Sequence, residues 1–195
     1  MKLLVLSLAL VLALSDVQGN PAKKPEWANE AKYGAHQNSW ESIKADKDTP
    51  YLLTKATYDK DLVWGNNFTC LSVKATGVNE EEKSINATIK YTNQDKKEYQ
   101  YSYEKVRAVY EFDYTQNPNA ILYETKDGHK FKDVLAYSGG NCDIYYVLPS
   151  DELPDGGYEL WTVDLTTSNT CTEKFESYAK GMNVRDVFTH GCEKI

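Results

Sequence analysis

Between residues 50 and 164 the chain is punctuated at nearly even intervals by turn-forming residues. Eight short strand-like runs fill the gaps, at 50–58, 68–75, 84–93, 98–112, 120–125, 130–137, 142–148 and 157–164. Asn66-Asn67, Asn79, Asn93 with Asp95, Asn117-Pro118-Asn119, Asp127-Gly128, Gly139-Gly140 and Asp155-Gly156-Gly157 separate most of them. These residues favour turn conformations. Connections this short force neighbouring strands to run antiparallel, because a parallel crossover needs a dozen or more residues. The 15 Tyr, 5 Phe and 4 Trp also suit strands better than helices. The chain is therefore expected to be mainly β, an eight-stranded antiparallel up-and-down barrel, with a two-sheet sandwich as the structural alternative. Two helices are expected around it. One is short and near the N-terminus, at 39–45. The other is C-terminal, at 171–182, with Phe175, Tyr178, Ala179 and Met182 on one face and Gly181 placed to cap it. The second should pack on the outside of the barrel.

Residues 1–19 read as a secretory signal: Lys2, then the apolar run from Leu3 to Leu14, then the small end Val17-Gln18-Gly19. The run is too short to span a bilayer, and no other segment is apolar enough to try. Residues 20–195 are then one domain, long enough to bury a real core. Four cysteines, Cys70, Cys142, Cys171 and Cys192, follow the signal. An even count in a secreted chain reads as two disulfides, with three pairings open. Asn67-Phe68-Thr69 and Asn86-Ala87-Thr88 are glycosylation sequons, so Asn67 and Asn86 are candidate acceptors. With 29 acidic against 22 basic residues, the net charge is -7. That balance argues against a nucleic-acid surface and permits a cationic partner.

The chemistry lies in acids that share a strand face with apolar residues. Side chains alternate across a strand. On 130–137 one face carries Phe131, Asp133, Leu135 and Tyr137; on 142–148, Asp143, Tyr145 and Val147; on 157–164, Glu159, Trp161 and Val163. Glu104 repeats the theme beside Val106 and Ala108, while Lys130, Lys132 and Thr162 fall on the opposite, solvated faces. A buried carboxylate costs several kcal/mol unless paired or protonated, and several facing one interior repel one another. Few basic residues share their phase. The missing counter-charge is then a ligand, a small organic cation, to which aromatic rings add about 0.5–2 kcal/mol each. The competing reading is that bulges turn these acids outward.

Other chemistry finds little support. His36, His129 and His190 are scattered and read as surface residues rather than catalytic or haem-ligating ones. No Cys-x-x-Cys or His-rich tract suggests a metal, and no Gly-x-Ser-x-Gly elbow, phosphate loop or His-Glu-x-x-His motif is present. Paired carboxylates can run a glycosidase, but the long loops of a sugar cleft are missing. No cofactor is implied.

Several stretches carry a resemblance over essentially the whole chain beyond the signal. They are Trp27-Ala28-Asn29-Glu30-Ala31, Gly34-Ala35-His36-Gln37, Lys55-Ala56-Thr57-Tyr58, Val63-Trp64-Gly65-Asn66-Asn67-Phe68-Thr69-Cys70, Gly157-Tyr158-Glu159-Leu160-Trp161 and Val184-Arg185-Asp186-Val187-Phe188-Thr189. The chain resembles the tick salivary histamine-binding lipocalins. The general lipocalin Gly-x-Trp near the first strand is not cleanly present, so the likeness is to the tick branch. It implies a lipocalin-like barrel with two acidic pockets that sequester host amines. One pocket would use Tyr58, Asp61, Glu104, Tyr123, Phe131 and Glu159. The other would use Ser42, Asp46, Trp64, Asp133 and Asp143, with Trp161 nearby. The resemblance also implies the pairings Cys70–Cys192 and Cys142–Cys171. One departure is Ile121, which stands where a relative carries an aromatic ring.

The expected function is a secreted, non-enzymatic scavenger of histamine. A barrel tuned in one pocket to serotonin or another amine is the nearest alternative. A protein-binding inhibitor of host defence working through outer loops, and an enzyme acting on the amine, are the readings from other classes.

Overall fold

The computed structural model describes residues 24–126, 128–151, 153–166 and 168–195. The secretory signal expected at 1–19, and Asp127 of the expected Asp127-Gly128 turn, lie outside the described residues. A short helix α1 (Glu30–Tyr33) runs into a 3-10 turn, Gly34–His36, and is followed by α2 (Ser39–Ala45). Asn38 starts α2 by accepting from the Trp40 and Glu41 amides through its side chain, satisfying two free N–H groups of the first turn. The strands follow in order: β1 (Tyr51–Ala56), β2 (Lys60–Asp61), β3 (Gly65–Asn66), β4 (Thr69–Asn79), β5 (Ser84–Thr92), β6 (Gln100–Val109), β7 (Ala120–Thr125), β8 (Lys130–Ser138), β9 (Cys142–Val147) and β10 (Gly157–Thr162). Helix α3 (Asn169–Tyr178) and a short strand β11 (Arg185–Asp186) complete the chain.

Each of β4 to β10 pairs antiparallel with its sequence neighbour, β1 pairs with β4, and β1 also pairs with β10. The sheet therefore closes into an eight-stranded up-and-down barrel, as expected, and not a sandwich. Strands β2 and β3 form a separate hairpin, and β11 adds to the rim of β1.

The wall is not uniform. On β6 burial alternates cleanly, with Glu104, Val106 and Ala108 inside and Lys105 and Arg107 outside. On β9 and β10 almost every residue is buried on both faces. The cause is α3, which lays Cys171, Phe175 and Ala179 against the outer residues Tyr137, Ile144, Tyr146, Tyr158 and Leu160. The Cys142–Cys171 disulfide ties it there, and Cys70–Cys192 ties down the C-terminal segment. Both pairings match those the resemblance implied. Gly181 takes φ +85° just beyond α3, a left-handed conformation that suits glycine.

Three expectations need correcting. Tyr137 does not share the inner face of Phe131, Asp133 and Leu135. The register shifts between Leu135 and Tyr137, and this bulge turns the Tyr137 ring outward beneath α3. Thr162 is not solvated; it is 1% exposed. It pairs with Cys142, on the wall that α3 covers, and its hydroxyl donates to the Asp164 carbonyl. The run expected at 98–112 stops as a strand at Val109. The chain turns there with left-handed backbone at Phe112 and Asp113, and the Glu30 carboxylate accepts from the amides of Thr115, Gln116 and Asn117 to hold the loop. No helix among the described residues is long and apolar enough to cross a membrane.

Candidate functional site

The inner face of the barrel carries its acids at successive depths. Alternation on β6, β8, β9 and β10 points Glu104, Asp133, Asp143 and Glu159 inward. Helix α2 lies across one end and adds Ser42, with Asp46 as its C-terminal cap. The β2–β3 hairpin lies at the other end and adds Asp61, whose Oδ1 accepts from the Val63 and Trp64 amides at 2.7 and 2.8 Å. Asp61 is half-buried, and the other five acids are at most 7% exposed. Across the strands, Trp161 stands opposite Asp143, Glu159 opposite Tyr145, and Asp133 between Ile121 and Val147.

Neutral donors hold these carboxylates in place. The hydroxyl of Tyr58 and the Trp161 indole N–H (2.8 Å) both donate to Glu159, one to each oxygen. Ser42 donates to Asp143 Oδ2 at 2.7 Å, which leaves the Tyr145 hydroxyl to donate to Ser42 Oγ at 2.7 Å. Ser102 donates to Glu104 at 3.2 Å. The Tyr123 and Phe131 rings stack with centroids 5.2 Å apart. Among the described residues, Asp133 Oδ1, Asp143 Oδ1 and the Trp64 indole nitrogen are buried with no hydrogen-bond partner.

No ion pair among the described residues involves any of these six acids. Lys130 and Lys132 pair with Glu124 and Glu111, and with Lys60 they also line the space that Asp61 and Asp133 border. Burial without an ion-pair partner therefore raises every one of the acids, and the Arg185 guanidinium opposes the rise only at Glu159. Desolvation is the first cause throughout, and neighbouring acids add to it at Asp46, Glu104, Asp133 and Glu159. Glu104 and Glu159 are pushed up to about 7 and Asp143 to about 6. Asp46 and Asp133 are held well above their ordinary values, and Asp61 is raised. The repulsions fall into two groups. Asp46 feels Asp143, while Asp133, Glu104, Glu159 and Asp61 feel one another.

Two chambers open into this interior. The inner one, beneath α2, offers about 70 Å³ to water centres. One water needs about 10–15 Å³ by that measure, so the space suits several waters or one small molecule. The outer one, beside the β2–β3 hairpin, offers about 210 Å³. The chambers divide the residues differently from the two sets that the resemblance implied. Ser42, Asp46, Trp64, Asp133, Asp143 and Trp161 all line the inner chamber, but so do Glu104, Tyr123 and Glu159. Tyr58, Asp61 and Phe131 line the outer chamber, joined by Tyr123 and Asp133. Sequence reasoning missed the Ser102 hydroxyl and Tyr51, which lines the inner chamber. Ser102 was legible, two residues before Glu104 on the same face. Tyr51 had no signal beyond heading a strand. Asn67 and Asn86 are exposed, and His36 lies outside the barrel with its ring against Tyr137. Among the described residues, no group of three or more His, Cys, Asp or Glu side chains could hold a metal ion.

Residues 27–194 match the family model described as tick histamine binding protein. The chain belongs to the tick histamine-binding protein family. It is 46% identical over 193 residues to female-specific histamine-binding protein 1 of Rhipicephalus appendiculatus, covering 97% of each chain. It is 40% identical over 157 residues to the male-specific histamine-binding salivary protein of the same tick, covering 79% of this chain and 76% of that one. Solved structures share the lipocalin-like fold at low identity. Lobster apocrustacyanin A1 superposes with a TM-score of 0.60 at 9% identity, over 88% of this chain and 89% of that chain. The AM182 serotonin complex gives 0.54 at 19% identity, over 80% and 92%. The family assignment accounts for the full span of the barrel, from Trp27 in the outer cluster to the C-terminal segment held by Cys192.

Proposed function

We propose that this protein is a secreted, non-enzymatic scavenger that sequesters histamine, and through it suppresses inflammatory responses of the host. The observation that carries the reading is the set of six inward carboxyls, none of which forms an ion pair among the described residues. Histamine brings an ammonium, and its imidazole gains a second charge near the histidine range, about 6.5. Carboxylates beside the imidazole favour that doubly charged form. The stacked Tyr123 and Phe131 rings, and Trp161, give flat surfaces for it. Sequestration needs affinity and a stoichiometric amount of protein, and no turnover.

Two histamine sites per chain follow, one in each chamber. Ser42, Asp46, Trp64, Glu104, Asp143, Glu159 and Trp161 serve the inner one, and Tyr58, Asp61 and Phe131 the outer one. The salivary relatives support secretion, and the exposure of Asn67 and Asn86 supports their glycosylation. The interior is neither apolar nor filled, which favours a small cation over a protein-binding role confined to outer loops. Ile121 borders the inner chamber where a relative carries a ring, so that chamber has an aliphatic wall suited to a bulkier amine such as serotonin. Calorimetric titration with a panel of amines tests the reading. Histamine should bind with a stoichiometry of two and be recovered chemically unchanged. Absence of heat with every amine would overturn the proposal.

A further inference from the structure

Among the described residues, the two chambers have two lining side chains in common, Tyr123 and Asp133. Tyr123 is uncharged and its ring stacks on Phe131. That leaves Asp133, among the described residues, as the one acid bordering both spaces, 4% exposed and flanked across the sheet by Ile121 and Val147. Its Oδ1 is buried and without a partner, so the free oxygen is also the one available to a guest. Every other acid lies against one chamber: Asp46, Glu104, Asp143 and Glu159 the inner, Asp61 the outer.

We propose that the two chambers bind cations anticooperatively, because both draw on the same carboxylate, Asp133. This rests on the amine reading and deepens it. A single negative charge can neutralise one cation. The first guest, in either chamber, engages Asp133 Oδ1. A second guest then meets a carboxylate already matched, and a like charge just across it. The groups facing Asp133 do not replace it. Asp61, Glu104 and Glu159 belong each to one chamber, and Tyr58 and Tyr145 are neutral. Lys60, Lys130 and Lys132 also line the outer chamber, where Lys130 and Lys132 pair with Glu124 and Glu111; these cations make the outer chamber lean more heavily on Asp61 and Asp133. Coupling between sites typically changes affinity by about 5–150-fold.

The test is a thermodynamic cycle by calorimetry with histamine. Asp143→Asn disables the inner chamber and Asp61→Asn the outer, each giving one single-site dissociation constant. In the native chain, the product of the two stepwise constants should exceed the product of those single-site constants by about 5–150-fold. Repeating the cycle with Asp133→Asn should lower that ratio, leaving only the direct repulsion between the two guests. Equal products in the native chain would overturn the coupling, as would a ratio left undiminished in Asp133→Asn. If a variant does not fold, the native chain alone still decides against the idea, should its titration give a Hill coefficient above one or a single site per chain. These failures differ from that of the amine reading, in which no amine gives heat at all.

Discussion

Glu104→Gln should make the ligand-free protein more stable at pH 8 while weakening its grip on histamine. Glu104 is buried on the inner face of β6, and burial raises its pKa from 4.5 to about 7. In an unfolded chain the same carboxyl titrates near 4.3. Below about 4.3 both states hold the proton. As pH rises, the unfolded chain releases it first, so the folded state binds more protons and stability falls until the folded group ionises near 7. Each tenfold change in the protonation equilibrium is worth about 1.4 kcal/mol. Holding Glu104 ionised in the apo interior therefore costs about 3 kcal/mol, as an order of magnitude. Glutamine is nearly isosteric, stays neutral and can still accept from Ser102. Urea or thermal denaturation should show Glu104→Gln close to the native chain at pH 4. At pH 8 its melting temperature should be higher by up to about 6–12 °C, at roughly 2–4 °C per kcal/mol for a domain of this size. Histamine affinity should fall by about 30-fold or more, the loss of one partner in a buried charge pair. A variant destabilised equally at both pH values would refute the reasoning, as would a native chain whose stability rises between pH 5 and 8.

Tyr58→Phe removes one of the two donors to Glu159. Its stability cost should be about 1.5–3 kcal/mol at pH 8, where the carboxyl is ionised, and about 0.5–1.5 kcal/mol at pH 5; a pH-independent cost in denaturation would count against the assigned protonation. Replacing Cys142 and Cys171 together by alanine opens a loop of 29 residues and should lower stability by about 3–4 kcal/mol. Because that disulfide sits on the outer face with α3, histamine stoichiometry at low temperature should be unchanged; an altered stoichiometry would mean that α3 shapes the interior.

The chain itself carried the local part of the answer. Strand period and turn residues gave eight antiparallel runs and their inward acids, and Glu104, Asp133, Asp143 and Glu159 were legible because alternation is a property of neighbouring residues. The resemblance supplied the residues outside any strand phase, Asp46 and Asp61, along with the disulfide pairing. What only the tertiary structure decided depends on register and closure. The bulge after Leu135 turned Tyr137 out, α3 buried Thr162, and the left-handed turn at Phe112 ended β6 early. The partition of the interior belongs to the same class. Asp133 borders both chambers because β7, β8 and β9 meet beside it while α2 and the β2–β3 hairpin cover opposite ends. Those segments are brought together across about a hundred residues of chain, and a pattern with a period of two holds no record of such distant contacts.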